Sequence, residues 1–201
     1  MTLNLFGVVA FYWMKMASDT EAEARLVAMA RAGRSEAWDG LFRRYQLPLY
    51  TFVYELVRDE QVALDMVQEA FISGVRYVGQ LRDDRRFGSW LFGIARQKCL
   101  QHWRKRPGRW ESLEGCEQDE VLVGEVEASP DEWLVRREDE ERFMTGLRSL
   151  SSAHREVLLL HFLEGFSLQE IAEVVGVGVG TLKSRMHYAK QALRERLEER
   201  E

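Results

Sequence analysis

The chain has 201 residues, 46% of them hydrophobic and 30% charged, with a formal net charge of −5. That is the make-up of a soluble globular protein of one large domain or two small ones. Its two cysteines exclude a disulfide framework and fit a reducing, cytoplasmic compartment, and no run approaches the roughly 18 apolar residues of a membrane span.

Residues 1–16 (MTLNLFGVVAFYWMKM) are apolar, but Lys15 follows the apolar part and no small-residue cleavage site appears, unlike a secretory signal. We read residues 1–17 as an extra segment. An over-extended start, with Met14 or Met16 nearer the true one, is preferred to a membrane-surface or packing segment. Ser18 and Glu21 have capping-box spacing and open a helix to about Gly33. A second helix is predicted over Ser35 to Val57, with Trp38, Leu41, Phe42, Tyr45, Leu49, Phe52, Val53 and Leu56 on one face. Pro48 should kink it near Arg44. A third, Glu60 to Val78, places Ala63, Val67, Ala70, Phe71, Val75 and Val78 together. Gln80 to Phe87 reads as a charged loop, and a fourth helix runs from about Ser89 to before Pro107. Residues 107–141 lack periodicity and read as a linker, with a helix lead-in from about Asp131. In the remainder, helices are predicted over Ser152 to Leu163, Leu168 to Val175 and Val179 to Glu198. The last turns Leu182, Met186, Ala189, Leu193 and Leu197 inward.

Split by segment, the net charge is −3 over residues 1–75, +8 over 76–110, −11 over 111–141 and +1 over 142–201. The plain reading is solvated surface; the sharper one is a nucleic-acid surface followed by an acidic linker. The fourth helix interleaves aromatics with Arg96, Lys98, Arg104, Lys105 and Arg106, which can follow phosphates. Trp90, Trp103 and Phe87 either stack on exposed bases or belong to the core, burial being preferred for Trp90. Such a face suits single-stranded nucleic acid, and the Arg82, Arg85, Arg86 loop is assigned to the same role. Near the C-terminus, a short helix, a turn at Gly176 and a longer helix match a helix-turn-helix, Ala172 sitting at the crossing between Ile171 and Val177. Ser167 and Glu170 cap the first helix. Thr181, Lys183, Ser184, His187, Tyr188 and Lys190 form an outward face able to bond phosphates and base edges. The bland alternative is an ordinary helical hairpin.

The strings Phe42-Arg-Arg-Tyr45, Asp65-Met-Val-Gln-Glu-Ala-Phe71, Phe87-Gly-Ser-Trp-Leu-Phe-Gly-Ile-Ala95, Arg104-Lys-Arg106, His154-Arg-Glu-Val-Leu-Leu-Leu160, Glu164-Gly-Phe-Ser167, Glu170-Ile-Ala172 and Val179-Gly-Thr-Leu-Lys-Ser-Arg185 follow in one order. Together, from about Leu26 to Leu197, the chain resembles the extracytoplasmic-function (ECF) group of bacterial RNA polymerase sigma factors. The resemblance implies an all-α fold of two small helical domains, a region 2 domain over residues 18–106 and a helix-turn-helix region 4 domain over 142–201, joined by the acidic linker 107–141. It implies that Asp65, Gln68 and Glu69 dock on the core polymerase, whose beta-prime clamp helices and beta flap are the expected partners. Arg82, Arg85, Arg86, Arg96, Gln97, Lys98, Gln101 and Arg104 would melt and read the minus-ten element. Thr181, Lys183, Ser184, Arg185, His187, Tyr188 and Lys190 would read the minus-thirty-five element, with His161 at a supporting backbone contact. An anti-sigma factor is the implied off-switch.

The family often has Asn and Asp where Gln97 and Gln101 stand, a proline where Gly178 stands, and arginines where Tyr188 and Lys190 stand. Such departures shift the expected promoter sequence. The acidic linker is also expected to compete with DNA for the basic surface in the free chain. No enzymatic activity, cofactor or metal is expected. A stand-alone helix-turn-helix regulator is the competing reading. A metal protein built on Cys99 and His102, with Cys116, His154 and His161, is weaker because four placed zinc ligands cannot be assembled.

Overall fold

Caps and turns punctuate the chain as physical chemistry requires. In the computed structural model, which describes residues 20–105 and 137–198, those residues form eight α-helices and no strand. The first four are α1 (Thr20–Arg31), α2 (Ser35–Val57), α3 (Glu60–Tyr77) and α4 (Phe87–Arg104). Asp59 caps α3 by accepting the Val62 N–H at 3.0 Å. α2 runs through Pro48 as one helix, so the expected kink does not interrupt it; the Leu47 carbonyl takes the Thr51 hydroxyl at 3.0 Å. The predicted face of α2 is buried apart from Trp38, half-buried, and Phe42, 43% exposed. Val75 corrects the predicted face of α3: it is 53% exposed while Val67, Ala70 and Phe71 are buried.

The remaining helices are α5 (Arg137–Ser149), α6 (Ser152–Phe162), α7 (Leu168–Val175) and α8 (Val179–Glu198). α5 starts inside the stretch expected to be linker; the rest of that stretch, residues 1–19 with the Ser18 cap, and Arg106 lie outside the described residues. Both bonds of the Ser167–Glu170 capping box are present. α7 ends at Gly176, whose φ of +75° is a left-handed conformation that favours glycine. α5 and α8 meet closely at Gly146, where a Cβ would lie 3.0 Å from Leu193 Cδ1.

α6 buries Val157, Leu158, Leu159 and Leu160 in succession. A helix buried on all sides is sandwiched, and α6 does lie between α8 on one side and α2 on the other. Meanwhile α7 packs on α4. The two groups of helices therefore share a seam, and Phe166 places its ring edge-on to Phe92 at 5.3 Å across it.

Candidate nucleic-acid interface

Two 3-10 turns, Val78–Gln80 and Asp84–Arg86, shape the basic loop before α4. Asp83 accepts the Arg85 N–H at 3.1 Å and opens the second turn. Arg31 of α1 holds the loop from below, donating to the Leu81 carbonyl at 2.9 Å and pairing with Asp84. Phe87 is the anchor: it is fully buried, against Trp38, Tyr45 and Trp90. Gly88 is required next, because a Cβ there would fall 2.7 Å from the Tyr45 hydroxyl. That hydroxyl donates to Glu23 at 2.7 Å, and Arg44 Nε lies 2.8 Å from the other Glu23 oxygen. Burial raises the Glu23 pKa despite both partners.

This scaffold brings Arg82, Arg86, Arg96, Gln97 and Lys98 to one cleft of about 770 Å³, with Tyr77, Trp90 and Ile94 supplying apolar walls. Cations beside aromatic surface suit an unstacked base and its phosphates. Arg85, Gln101 and Arg104 do not line it; all three are exposed. Phe87 and Trp103 are buried and take no part in stacking, while Trp90 is half-buried against the core.

Several of the predicted phosphate contacts are engaged by carboxylates of the same chain. Arg85 pairs with Asp83 at 3.1 Å, and Lys98 with Glu69 at 3.2 Å. Arg86 pairs with Glu173 of α7 at 2.9 Å. Arg96 pairs with Glu156 of α6 at 2.7 Å, the side chains only 14% and 2% exposed. The sequence reading missed Glu156 and Glu173. For Glu156 the sequence carries a weak signal: it directly precedes the apolar run Val157 to Leu160, and a carboxylate buried with such a run demands a partner.

The helix-turn-helix is built as expected. Ile171 and Ala172 are buried at the crossing, and Val177 packs against the core. On α8, Thr181, Lys183 and His187 are exposed, and Ser184 and Tyr188 half-buried. The structure departs from the reading at Arg185. Arg185 is only 7% exposed and faces inward, where its charge, with that of Arg96, opposes the rise that burial imposes on the Glu156 carboxyl, so it is not on the DNA-facing side. Lys190 lies over the Phe162 ring at 5.5 Å. His161 is half-buried with its ring 5.0 Å from that of Phe162.

On α3, Asp65, Gln68 and Glu69 are all exposed and share one face. Leu64, Ile72 and Val75, at 41%, 62% and 53% exposure, continue that face, giving it the apolar and acidic character of a docking surface.

Two buried groups bear on chemistry and stability. Burial and the Glu156 charge push the Cys99 thiol up to about 12, so the thiolate that a metal or an electrophile needs is suppressed. Among the described residues no cluster of three or more His, Cys, Asp or Glu could hold a metal, and Cys116 lies outside them. At the end of α6, desolvation alone pushes the Glu164 carboxyl up from 4.5 to about 8. An acid with a raised folded pKa favours folding less as pH climbs from its unfolded to its folded value. Glu164→Gln is therefore expected to match the wild type near pH 4.5. It should be more stable by about 2 kcal/mol above pH 8, less than the full shift implies because the residue is partly in water. Urea midpoints at pH 5 and pH 9 check this; a constant difference across pH assigns the effect to packing instead.

Comparison with known proteins follows the same division. Residues 41–108 match the Sigma-70 region 2 family, and residues 140–193 match Sigma-70, region 4. The ECF RNA polymerase sigma factor BldN of Streptomyces coelicolor is 30% identical over 88% of this chain, which spans 66% of that protein. The RNA polymerase sigma-H factor of Pseudomonas aeruginosa is 33% identical over 86% of this chain and 92% of its own length. Among solved structures, the sigma factor RpoE of Bartonella quintana, in complex with the anti-sigma factor NepR, superposes with a TM-score of 0.56 at 28% identity. That alignment covers 79% of this chain and 97% of that one. CnrH, in complex with the cytosolic domain of CnrY, shares the fold at a TM-score of 0.62 and 24% identity, over 89% of this chain and 98% of its own.

Proposed function

The chain belongs to the ECF group of RNA polymerase sigma factors, and from that premise we propose how its residues divide the work of initiation. It binds core RNA polymerase and directs promoter recognition, melting and transcription initiation, with a region 2 domain over residues 18–106, a linker over 107–141 and a region 4 domain over 142–201. The Asp65, Gln68, Glu69 face docks on the polymerase clamp. The cleft lined by Arg82, Arg86, Arg96, Gln97 and Lys98 takes unpaired minus-ten bases, with Arg85, Gln101 and Arg104 beside it. α8 enters the major groove at the minus-thirty-five element through Thr181, Lys183, Ser184 and His187, flanked by Tyr188 and Lys190. The observation that supports this best is the pairing of two surfaces in one chain: a cation–aromatic cleft suited to single strands and an exposed helix-turn-helix face suited to duplex. A stand-alone regulator needs only the second.

Neither surface holds many contacts, so each binds weakly alone. Fixed on one rigid body, the second contact becomes effectively intramolecular, and polymerase is that body. Trapping flipped bases offsets the few kcal/mol of unstacking, so melting needs no hydrolysis and the chain acts as an initiation factor without catalysis of its own. It works where polymerase is, in the cytoplasm. No helix among the described residues is long and apolar enough to cross a membrane. The RpoE relative's complex supports an anti-sigma factor as a further partner.

Run-off transcription with core polymerase on a promoter library tests this. The chain should confer initiation that core enzyme alone lacks. Lys183→Ala, which removes one base or phosphate contact of about 1–3 kcal/mol, should cut use of preferred promoters by about 5- to 150-fold through upstream positions only. Duplex binding without core-dependent initiation would instead favour the regulator.

A further inference from the structure

We propose that α1 sets the selectivity of the single-strand cleft, with Arg31 as the residue that positions the loop bearing Arg82; this rests on the reading of that loop as a minus-ten contact. α1 lies upstream of the residues that match the region 2 family, which begin at Leu41. It nevertheless carries supports of the loop on one face. Glu23, Val27 and Arg31 follow one another at steps of four, so they form one row along the helix. Glu23 and Val27 are buried, and Arg31 reaches the loop from fifty residues away in sequence.

Residues 81–83 join the two 3-10 turns. Leu81 and Asp83 are extended, with ψ of 122° and 114°, so this stretch has no helical ladder to fix it. Arg31 fixes it from the side. Its Nη2 donates to the Leu81 carbonyl at 2.9 Å and also pairs with Asp84. The two contacts straddle Arg82. At the far end of the loop, Glu23 accepts the Tyr45 hydroxyl at 2.7 Å, and Tyr45 seats the Gly88 backbone. One helix thus supports both ends of the segment from Leu81 to Gly88.

The charges sort the same way. Asp83 is taken by Arg85 and Asp84 by Arg31, while Arg86 pairs with Glu173. Arg82 is exposed, lines the cleft and makes no ion pair among the described residues. It is the loop cation left for a phosphate or a base edge. Without Arg31, the Asp84 carboxylate would stand bare two residues away, able to capture the Arg82 guanidinium and to repel a strand. A loose arginine adds affinity for any strand, whereas one held in place meets some bases and misses others. Arg31 is therefore a positioning residue, and its loss should cost preference at the minus-ten element.

The test uses the full chain with core polymerase, in run-off transcription on a promoter library randomised at both elements. Arg31→Ala should reduce the ratio between preferred and disfavoured minus-ten bases by at least about fivefold, the worth of one charge-assisted hydrogen bond. Minus-thirty-five preference and core affinity should stay as in the wild type. Arg31→Lys keeps a cation with several donors and should restore most of the preference, whereas Arg31→Gln should not. Asp84→Ala leaves the Leu81 bond in place and should give a smaller loss. Combined with Arg31→Ala it should lose less than the sum of the two, as residues acting through one contact do. Should Arg31→Ala lose helical content by circular dichroism, Arg31→Gln and Asp84→Ala carry the same comparison. An unchanged minus-ten ratio overturns the proposal. So does a loss that falls equally on both elements, or one that Arg31→Lys fails to relieve, since either marks a support of the fold alone. Core-dependent initiation by the wild type leaves the sigma-factor reading standing in those cases. Its absence in the wild type rejects that reading, and the proposal with it.

Discussion

Phe87→Ala should destabilise the first helical group by about 3–5 kcal/mol, the usual cost of truncating a buried aromatic. Phe87 is fully buried, its ring centroid 6.1 Å from that of Trp38, 5.6 Å from Tyr45 and 5.8 Å from Trp90. Such ring pairs add about 0.5–1.5 kcal/mol each beyond the area they bury. The vacated space cannot refill easily. Tyr45 is tied to Glu23 on one side and seated against the Gly88 backbone on the other, so the cavity persists and the cost lies toward the upper end. A domain with only about 5–15 kcal/mol of stability loses a large part of it. Phe87 also joins the Asp84–Arg86 turn to α4, so the arginine loop should loosen before the helices melt. Urea unfolding followed by circular dichroism measures the first effect, and protease cleavage between Arg82 and Arg86 in the folded variant measures the second. A loss below about 1 kcal/mol would show that the neighbouring rings collapse into the space.

The same residues show where sequence reasoning runs out. The α2, α7 and α8 boundaries follow from local signals that survive folding: steps of three and four, a Ser–Glu capping box, and a glycine where φ must be positive. The exposure of Asp65, Gln68 and Glu69 was legible too, because a polar triad at helical spacing leaves one face wet. Val75 misled because it continues the spacing of Val67 and Phe71 but lies far enough round the helix to reach solvent. The start of α5 reads as linker because its opening, Arg137 to Glu141, is charged throughout; its apolar anchors Phe143 and Leu147 come in its second half, with Leu150 just beyond it. The pairing of Arg96 with Glu156 spans sixty residues and leaves no periodic trace. Nothing local separates a cation aimed at a phosphate from one aimed at a carboxylate elsewhere in the chain. The candidate site was therefore legible as a set of residue types, and its partners only from the packing of one helical group on the other.

Reversing the α3 face, with Asp65→Lys and Glu69→Lys together, should weaken core polymerase binding by at least about 100-fold and abolish run-off transcription. Juxtaposed like charges cost several kcal/mol at an interface, whereas exposed side chains contribute little to folding. Asp65 only accepts a hydrogen bond from Gln61 at 3.2 Å. Glu69 pairs with Lys98 at 3.2 Å, at 61% exposure, and exposed pairs of this kind add about 0.2–1 kcal/mol. Stability should thus shift by no more than about 1 kcal/mol while function is lost, a separation that a folding defect cannot imitate. Glu195→Lys provides the control: an equally exposed charge reversal on α8, far from the α3 face in sequence and hydrogen-bonded only to Gln191 on its own helix, should leave core binding intact. Because the Glu69 change also releases Lys98 at the edge of the single-strand cleft, the variant should bind single-stranded DNA no worse than wild type. A fluorescence titration with core enzyme decides the matter: equal affinity for the reversed and wild-type chains would place the polymerase contact elsewhere on the molecule.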